Sequence, residues 1–465
     1  MGAGKVLPAP LLLAALAGCS MTPAYHPPSV AVPDAFKETK GWAAATPMDG
    51  TARGAWWKGF GDPVLDDLED RAEKASPTLA AALARYDQAR AVVKGESAAL
   101  LPEIDASGSF ARTRVSADRP LSSGNAQTYN NAIVGGGLSY EIDLWGRIRA
   151  SVSAASAEAQ ASDEDVISAR LSLQTSVADA YARLRGLDAE AELLRQTVVA
   201  FERAYALTRT RHEGGIASGI DVSRALTVLG NARAQVSAVA SQRAAAEHEI
   251  AALVGAVASD FSIAPRAQPL LPLALATGVP SELLQRRPDI AAAERRMAAA
   301  NSRIGVARAA FFPTVTLGLS GGFQATDGSL LIAPNTFWGL GPISAALAVF
   351  DGGRRAAKVR LSRAQYAEQA EKYRQTVLAA FRQTEDAIAA GRLLGRQVVD
   401  QKTAADAAVR SSTLALSSYR DGGADYLEVV TAQTQALDAQ RALLNVETQQ
   451  MRASVALVNA LGGAY

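Results

Sequence analysis

The chain contains two similar halves, and this internal duplication limits its fold more than any other feature. An Ala-rich segment from Pro77 to Pro102 has a counterpart from Pro288 to Pro313, 211 residues later. Three further pairs recur at an offset of 207 or 208 residues: Gly146-Arg147 with Gly353-Arg354, Gly214-Gly215 with Gly422-Gly423, and Leu253-Val254-Gly255 with Ala460-Leu461-Gly462. A unit of this length is too long for a solenoid repeat. We therefore predict two structural repeats, 77–255 and 288–465, of the kind that builds a wall or pore from similar staves.

The start of the chain has the features of a bacterial lipoprotein signal peptide over residues 1–18. A short basic start precedes an apolar stretch at 6–17, which is too short to span a bilayer. The stretch ends in Leu-Ala-Gly before Cys19, the only cysteine of the chain. We predict that Cys19 becomes the mature N-terminus, carrying N-palmitoyl and S-diacylglycerol groups. The alternative is a chance cysteine in an ordinary signal peptide. Ser20 follows instead of Asp, which favours the outer membrane.

Composition excludes several classes of protein. The formal net charge is +1, so no basic face for nucleic acid is indicated. A single cysteine excludes an intramolecular disulfide and a Cys-rich metal site. After the signal, no apolar run reaches the length of a transmembrane helix, so a membrane crossing would have to use strands.

Catalysis has little support in the sequence. The three histidines, His26, His212 and His248, match no nucleophile or metal-ligand pattern. An acidic run, Asp66, Asp67, Glu69 and Asp70, is interpreted as a solvated helix face. We expect a protein that is not an enzyme and that has no metal or cofactor.

Hydrophobic residues recur every seven positions in both halves. The first series is Val166, Leu173, Ala180, Leu187, Leu194 and Phe201, and the second is Val430, Leu437, Leu444, Met451 and Val458. This is the seam of a coiled coil. Because 146–213 contains no proline, one helix of roughly 100 Å can form there at ~1.5 Å per residue. The seam fits either an isolated coiled-coil hairpin or one stave of a helical tube.

Two segments have the alternation and turn residues of β-hairpins, 103–143 and 314–350. Each strand is long enough to cross an outer membrane, which takes about 9–11 residues. Four strands are too few for a closed barrel, since single-chain barrels begin at about eight. An open sheet with bare edges is excluded from lipid. Strands that lie in a membrane would therefore belong to a barrel shared by several chains, twelve strands in a trimer or eight in a dimer.

An ordered set of short motifs covers almost the whole mature chain. These are Trp56-Trp57-Lys58-Gly59-Phe60-Gly61-Asp62-Pro63, Leu101-Pro102, Tyr140-Glu141-Ile142-Asp143-Leu144-Trp145-Gly146-Arg147, Arg286-Arg287-Pro288-Asp289-Ile290, Phe312-Pro313 and Phe350-Asp351-Gly352-Gly353-Arg354. With them the chain resembles outer membrane factors of the TolC superfamily, in the OprM/NodT-type lipoprotein branch.

The resemblance implies a fold of the α+β membrane class: a homotrimer with a twelve-stranded outer-membrane β-barrel, a periplasmic α-helical barrel and an equatorial domain around it. It implies a lipidated tether and equatorial segment at 19–76 and an equatorial linker at 256–287. It also implies partners: a periplasmic adaptor protein, an inner-membrane pump of the resistance-nodulation-division type, and outer-membrane lipid. The protein would be a passive exit duct for small molecules. A duct for secreted proteins and a non-channel lipoprotein scaffold are the alternatives.

The two Gly-Gly turns should form the periplasmic tip that contacts the adaptor, at Gly214, Gly215, Gly422 and Gly423. Related proteins narrow the channel there with an apolar residue that corresponds to Leu427. Many carry an Asp and an Arg on the following turns, where this chain has Thr431 and Thr434. Four charged residues near the turns are either gate charges or solvated turn residues and helix caps: Asp221, Arg420, Asp421 and Asp425.

Overall fold

The structure is a computed structural model, and it describes residues 20–27, 36–39, 54–118, 120, 124–268, 270–273, 287–326, 331 and 335–463. The expected signal peptide and Cys19 lie outside these residues. So do residues 269 and 274–286 of the expected linker. The chain divides into two compact units. The first comprises residues 1–29, 85–163 and 292–374, and the second comprises 30–84, 164–291 and 375–465.

Helices dominate the described residues, and the two halves have matching sets. Their bounds are α1 Pro63–Ala75, α2 Pro77–Ala98, α3 Arg147–Glu213, α4 Gly219–Leu253, α5 Pro288–Ala309, α6 Arg354–Arg420 and α7 Tyr426–Ala460. The long helices α3 and α6 each have 67 residues, and the helices that follow them each have 35. At ~1.5 Å per residue, α3 and α6 are each about 100 Å long. The expected internal duplication and the proline-free long helix are confirmed.

The first unit contains one antiparallel sheet in the order β1-β2-β3-β4. Its strands are β1 Glu103–Val115, β2 Gln127–Ile142, β3 Thr314–Ala325 and β4 Thr336–Ala346. The β2–β3 ladder, with Val134 opposite Phe323, joins the two hairpins. β4 stops at Ala346 because its partner there, Thr314, is the first residue of β3. Residues 347–350, expected as strand, therefore have no opposite residues within the protomer.

Two features of this sheet are a close backbone approach at a glycine and a set of exposed apolar side chains. A Cβ on Gly135 would lie 2.7 Å from the carbonyl oxygen of Gly321, so only glycine permits the approach of β2 to β3. On β4, Trp338, Leu340 and Ile343 are each more than 70% exposed. Among the described residues of one protomer, the outer edges of β1 and β4 have no strand partner. No described helix is long and apolar enough to cross a bilayer.

Each long helix begins with the same construction. Asp143 accepts hydrogen bonds from the backbone N–H groups of Ile148 and Arg149, at 3.2 and 2.9 Å. Asp351 accepts from Gly353 and Arg355, at 3.0 and 3.1 Å. A carboxylate here satisfies helix-terminal donors and complements the helix dipole. The acidic positions of both recurring motifs are therefore helix caps.

The N-terminal segment lies along α5. The hydroxyl of Tyr25 donates to Glu294 Oε1 at 2.6 Å, and Asn301 Nδ2 donates to the carbonyl oxygen of Pro23 at 2.9 Å. Thr22 packs against the bare backbone of Gly305. The segment thus runs antiparallel to α5.

A buried polar network in the second unit attaches residues 261–266 to α3. Asp188 accepts from Arg185 Nη1 and from Arg243 Nε, both at 2.7 Å, and from the backbone N–H of Arg266 at 3.0 Å. Arg185 also donates to the hydroxyl of Tyr181. Burial raises the pKa of Tyr181 to about 12, so its proton stays on at neutral pH. Because each charge is paired, the network holds the connecting segment without leaving a buried charge uncompensated.

The Arg-Arg-Pro-Asp-Ile motif also has a structural role. Arg287 holds Asp289 with two hydrogen bonds, at 3.0 and 2.6 Å, and donates to the carbonyl oxygen of Ala460 at 3.0 Å. Ala460 is the last residue of α7, where a cation is favourable. The motif therefore joins the start of the second repeat to its end.

The interpretation of the acidic run on α1 as a solvated face was wrong for Glu69. Its side chain is only 1% exposed, on the same helical face as Leu65, Leu68 and Ala72. Both carboxylate oxygens are buried without a hydrogen-bond partner among the described residues. Burial, with the negative charge of Glu73 as the next cause, raises the pKa of Glu69 to about 9.

Candidate gating site at the helix turns

The turn between α3 and α4 is a Schellman motif followed by a capping box. Gly215 has φ +76°, and the N–H of Ile216 donates to the carbonyl oxygen of Arg211 at 2.8 Å. Ser218 then caps α4: its Oγ accepts from the N–H of Asp221 at 3.2 Å, and the Asp221 carboxylate accepts from the N–H of Ser218 at 3.2 Å. The chain reverses direction within five residues and leaves few unpaired backbone groups.

The turn between α6 and α7 repeats this construction. Gly422 has φ +82°, and the N–H of Gly423 donates to the carbonyl oxygen of Ser418 at 2.8 Å. Asp425 caps α7 by accepting from the N–H of Glu428 at 2.9 Å. We call these two turns and the helix ends beside them, residues 205–230 and 416–434, the tip.

The four predicted gate charges fall into two groups. Asp221 and Asp425 are both helix caps, and Asp221 also lies 3.7 Å from Arg224. Arg420 and Asp421 are exposed, and neither forms an ion pair with another described residue of the same protomer. The first pair shapes the turns, while the second leaves its charges open to a neighbouring chain.

An aromatic cluster lies beneath the turns, and the sequence interpretation missed it. Tyr419 and Tyr426 meet edge to face with ring centroids 5.6 Å apart. Ala225, Val429 and Val430 complete the buried core of this cluster. Burial raises the pKa of Tyr426 to about 12. The tyrosines flank the second Gly-Gly turn, a position that could have revealed them.

Arg211, also missed, connects the two helical hairpins at the tip. Its guanidinium lies 4.4 Å from the ring centroid of Tyr419, and its Nη1 donates to the Tyr419 carbonyl oxygen at 2.5 Å. That carbonyl belongs to the last turn of α6, where the helix dipole favours a cation. One side chain therefore combines a cation–π contact with a charge-assisted hydrogen bond.

Leu427 lies at the start of α7 and is 47% exposed. With Ile220, Val228 and Val430 it lines a cleft of about 520 Å³ between α4 and α7. The hydroxyls of Thr431 and Thr434 donate to carbonyl oxygens one turn back, at 2.7 and 2.8 Å. These hydroxyls are already satisfied by their own helix.

Metal chemistry finds no support at the tip. Within the described ranges no three His, Cys, Asp or Glu side chains are grouped to hold a metal ion. His212 Nδ1 lies 2.8 Å from the carbonyl oxygen of Ala217, so this ring helps to close the first turn.

Comparison with known proteins supports the same assignment for both halves. The model of the family described as "Outer membrane efflux protein" matches residues 68–256 and 279–463. The chain is 34% identical over 462 residues to outer membrane protein OprJ of Pseudomonas aeruginosa, covering 98% of this chain and 95% of that protein. It is 33% identical over 458 residues to the pyoverdine export outer membrane protein OpmQ of the same species, covering 97% and 95%.

Solved structures have the same fold. The outer-membrane channel OprN superposes with a TM-score of 0.89 at 29% identity, covering 96% of this chain and 99% of that one. The open state of the Neisseria gonorrhoeae MtrE outer membrane channel superposes with a TM-score of 0.83 at 27% identity, covering 96% and 98%. The fold class expected from the sequence is confirmed.

Proposed function

This chain belongs to the outer membrane efflux protein family, and we propose that it is the outer-membrane exit duct of an efflux pump. The family is one of transport channels, so we expect no enzymatic activity. The observation that carries the proposal is the family match over both halves, joined to a sheet with two open edges. Single-channel recording in planar bilayers tests it, since a non-channel scaffold would give no conductance.

Small molecules are the proposed cargo. Relatives over nearly the full length are named for pyoverdine export, toluene efflux and antibiotic efflux. None of these names refers to a protein substrate. Deleting the gene should therefore raise sensitivity to small toxic compounds and leave protein secretion unchanged, and the reverse result would favour the secretion duct.

Three copies are proposed to form one channel. The described part of each protomer forms four strands whose two outer edges are unpaired, and lipid excludes such edges. Three protomers would supply twelve strands, within the range of known barrels. Native mass spectrometry of detergent-extracted protein should show a trimer, whereas a pore-forming monomer would exclude the shared barrel.

A periplasmic adaptor and a resistance-nodulation-division pump are the proposed partners. The turns at Gly214-Gly215 and Gly422-Gly423 would contact the adaptor, because both are exposed and lie where long helices reverse. A photo-crosslinker at position 216 should capture the adaptor in cells. The same label at position 192, within α3, should not.

The gate is proposed to lie at Leu427. Three copies of an exposed leucine converging on one axis would make an apolar constriction, and such constrictions can close by dewetting. Arg420 and Asp421, together with Asp425, would link neighbouring protomers there. Asp221 is assigned to the first turn as its cap.

Cys19 is proposed to carry the lipid, as N-palmitoyl and S-diacylglycerol groups, and so to add a membrane anchor to the barrel. One acyl chain binds membranes only marginally, so several chains suit a permanent anchor. Mass spectrometry of the mature N-terminal peptide should find the modification. Cys19→Ser should abolish it, and an unmodified terminus at another residue would contradict the proposal.

A further inference from the structure

A second cleft, distant in sequence from the tip turns, lies midway along the helices of the second unit. Its volume is about 730 Å³, and its walls come from α3, α4 and α7. Gly186 lies at its base, in contact with the side chain of Thr448. Unlike the cleft at Leu427, this one is lined mainly by charged and amide side chains.

Three arginines in the cleft are each paired with a carboxylate from another helix. Arg183 of α3 pairs with Glu249 of α4. Arg441 of α7 pairs with Glu190 of α3 at 2.6 Å. The third pair completes the set: Arg452 of α7 holds Asp179 of α3 at 2.7 and 3.0 Å.

These pairs are partly accessible to solvent. The three arginine side chains are between 34% and 43% exposed, and their partners between 21% and 50%. Pairs with this exposure contribute little to stability, about 0–1 kcal/mol each. Three positive and three negative charges nevertheless make the cleft neutral as a whole. The positions of these six charges therefore affect the local electrostatic potential more than they affect the stability of the fold.

The cleft lies on the face of α3 opposite the polar network. Residues two apart in a helix are separated by about 200°. Arg183 is two residues from Tyr181 and from Arg185, and Glu190 is two residues from Asp188. Arg185 and Asp188 bond to the connecting segment 261–266, at the carbonyl oxygen of Ala264 and the backbone N–H of Arg266, and Tyr181 accepts a hydrogen bond from Arg185 on the same side of α3. The family resemblance assigns the connecting segment to an equatorial layer around the tube, so the opposite face of α3 would be the inner wall of the proposed duct.

We infer that the charge-paired cleft lines the duct and sets its ion selectivity through the balance of its arginines and carboxylates. This inference rests on the proposed exit-duct function. Rings of charged side chains determine the selectivity of channels. In a trimer the three clefts would carry nine arginines and nine carboxylates, so that neither sign of charge is excluded. Such a wall suits a passive duct whose cargo is selected by the pump.

Shifting the balance tests the inference. The variant Asp179→Asn/Glu190→Gln/Glu249→Gln leaves three arginines per protomer without partners. Reversal potentials across a KCl gradient in planar bilayers should show anion permeability rising relative to cation permeability, on the order of twofold or more. The opposite variant, Arg183→Gln/Arg441→Gln/Arg452→Gln, should shift the ratio toward cations.

A matched control comes from the other side of α3. Glu192 pairs with Arg195 at 2.6 Å and lies two residues from Glu190. Glu192→Gln makes the same chemical change on the opposite face, and its reversal potential should equal that of the wild type. Native mass spectrometry establishes that every recorded variant is a trimer.

A second readout does not depend on removing charges. Gln449→Cys places a thiol in the cleft, and a charged methanethiosulfonate reagent should reduce its single-channel current, whereas Glu192→Cys should be insensitive. An absence of conductance even in the Leu427→Ala variant, whose apolar constriction is removed, would refute the duct itself and the inference with it. Wild-type conductance with unshifted reversal potentials and an insensitive Gln449→Cys would overturn the inference alone.

Discussion

Glu69 is a carboxyl group that folding forces to stay protonated. Its side chain is buried on the apolar face of α1, its oxygens have no hydrogen-bond partner among the described residues, and its pKa is raised to about 9. Glu69→Gln replaces the protonated acid with a neutral group of the same shape. The variant should therefore behave as the wild type does at low pH, but over a wider range.

The sign of the effect follows from proton linkage. The pKa in the folded protein lies above the ordinary value of 4.5, so the folded state binds the proton more tightly than the unfolded state. The stability of the wild type is then full below about pH 4.5 and falls as the pH rises toward 9. Each pH unit in this window costs about 1.4 kcal/mol. By pH 7.5 the loss is about 4 kcal/mol, and Glu69→Gln should recover most of it.

Thermal unfolding of detergent-purified protein between pH 5 and 8, followed by tryptophan fluorescence, measures this effect. Asp67→Asn is the matched control, because it removes one carboxylate from an exposed position of α1 that does not contribute to the raised pKa of Glu69. Glu69→Gln should match the wild type at pH 5 and unfold at a clearly higher temperature at pH 8. Equal unfolding temperatures at pH 8 would refute the reasoning, since they would mean that the folded protein stabilises the ionised carboxylate.

Three further predictions concern the tip and the polar network. Leu427→Ala combined with Asp421→Asn and Asp425→Asn, which keeps a capping side chain, should raise conductance in bilayers without loss of the trimer; unchanged conductance would place the gate elsewhere. Arg211→Ala should raise conductance and should lower the free energy of unfolding by about 2 kcal/mol, through loss of a charge-assisted hydrogen bond and a cation–π contact, whereas Arg211→Lys, which keeps the charge, should lose less; equal losses in the two would contradict this, because they would show that the positive charge by itself contributes nothing. Asp188→Ala should destabilise the protein by about 3–5 kcal/mol, because it leaves the buried Arg185 without a carboxylate partner, and limited proteolysis should then cleave near residues 261–266; an uncut chain would contradict this.

The long helices and the strands were predictable because their signals are local and repeated. The seven-residue spacing and the missing proline gave α3, and alternation with turn residues gave both hairpins. The family resemblance then supplied the assembly. The end of β4 was missed because strand length depends on the partner strand, which single-segment patterns do not contain.

The contacts that shape the site were less accessible from sequence. Arg211 meets Tyr419 across 208 residues, a pairing that no local pattern encodes. Glu69 is different, because its burial could have been found. Leu65, Leu68 and Ala72 mark one face of α1, and position 69 lies four residues after Leu65 on that face. The run of acidic residues around it indicated a solvated face, whereas the 3.6-residue period of the helix places position 69 on the buried one.

The open edges of the four-stranded sheet have a consequence for assembly kinetics. The sheet of a single protomer is not stable in the bilayer. Its outer strands β1 and β4 would each expose a row of unpaired backbone groups to hydrocarbon. Insertion and association are therefore one event, and its rate depends steeply on the concentration of protomers waiting outside the membrane. During that wait the same edges can pair with any other exposed strand. The yield of channels should then depend on how quickly three copies meet, so that slow synthesis favours degradation of single copies, and a burst of synthesis favours either trimers or aggregates.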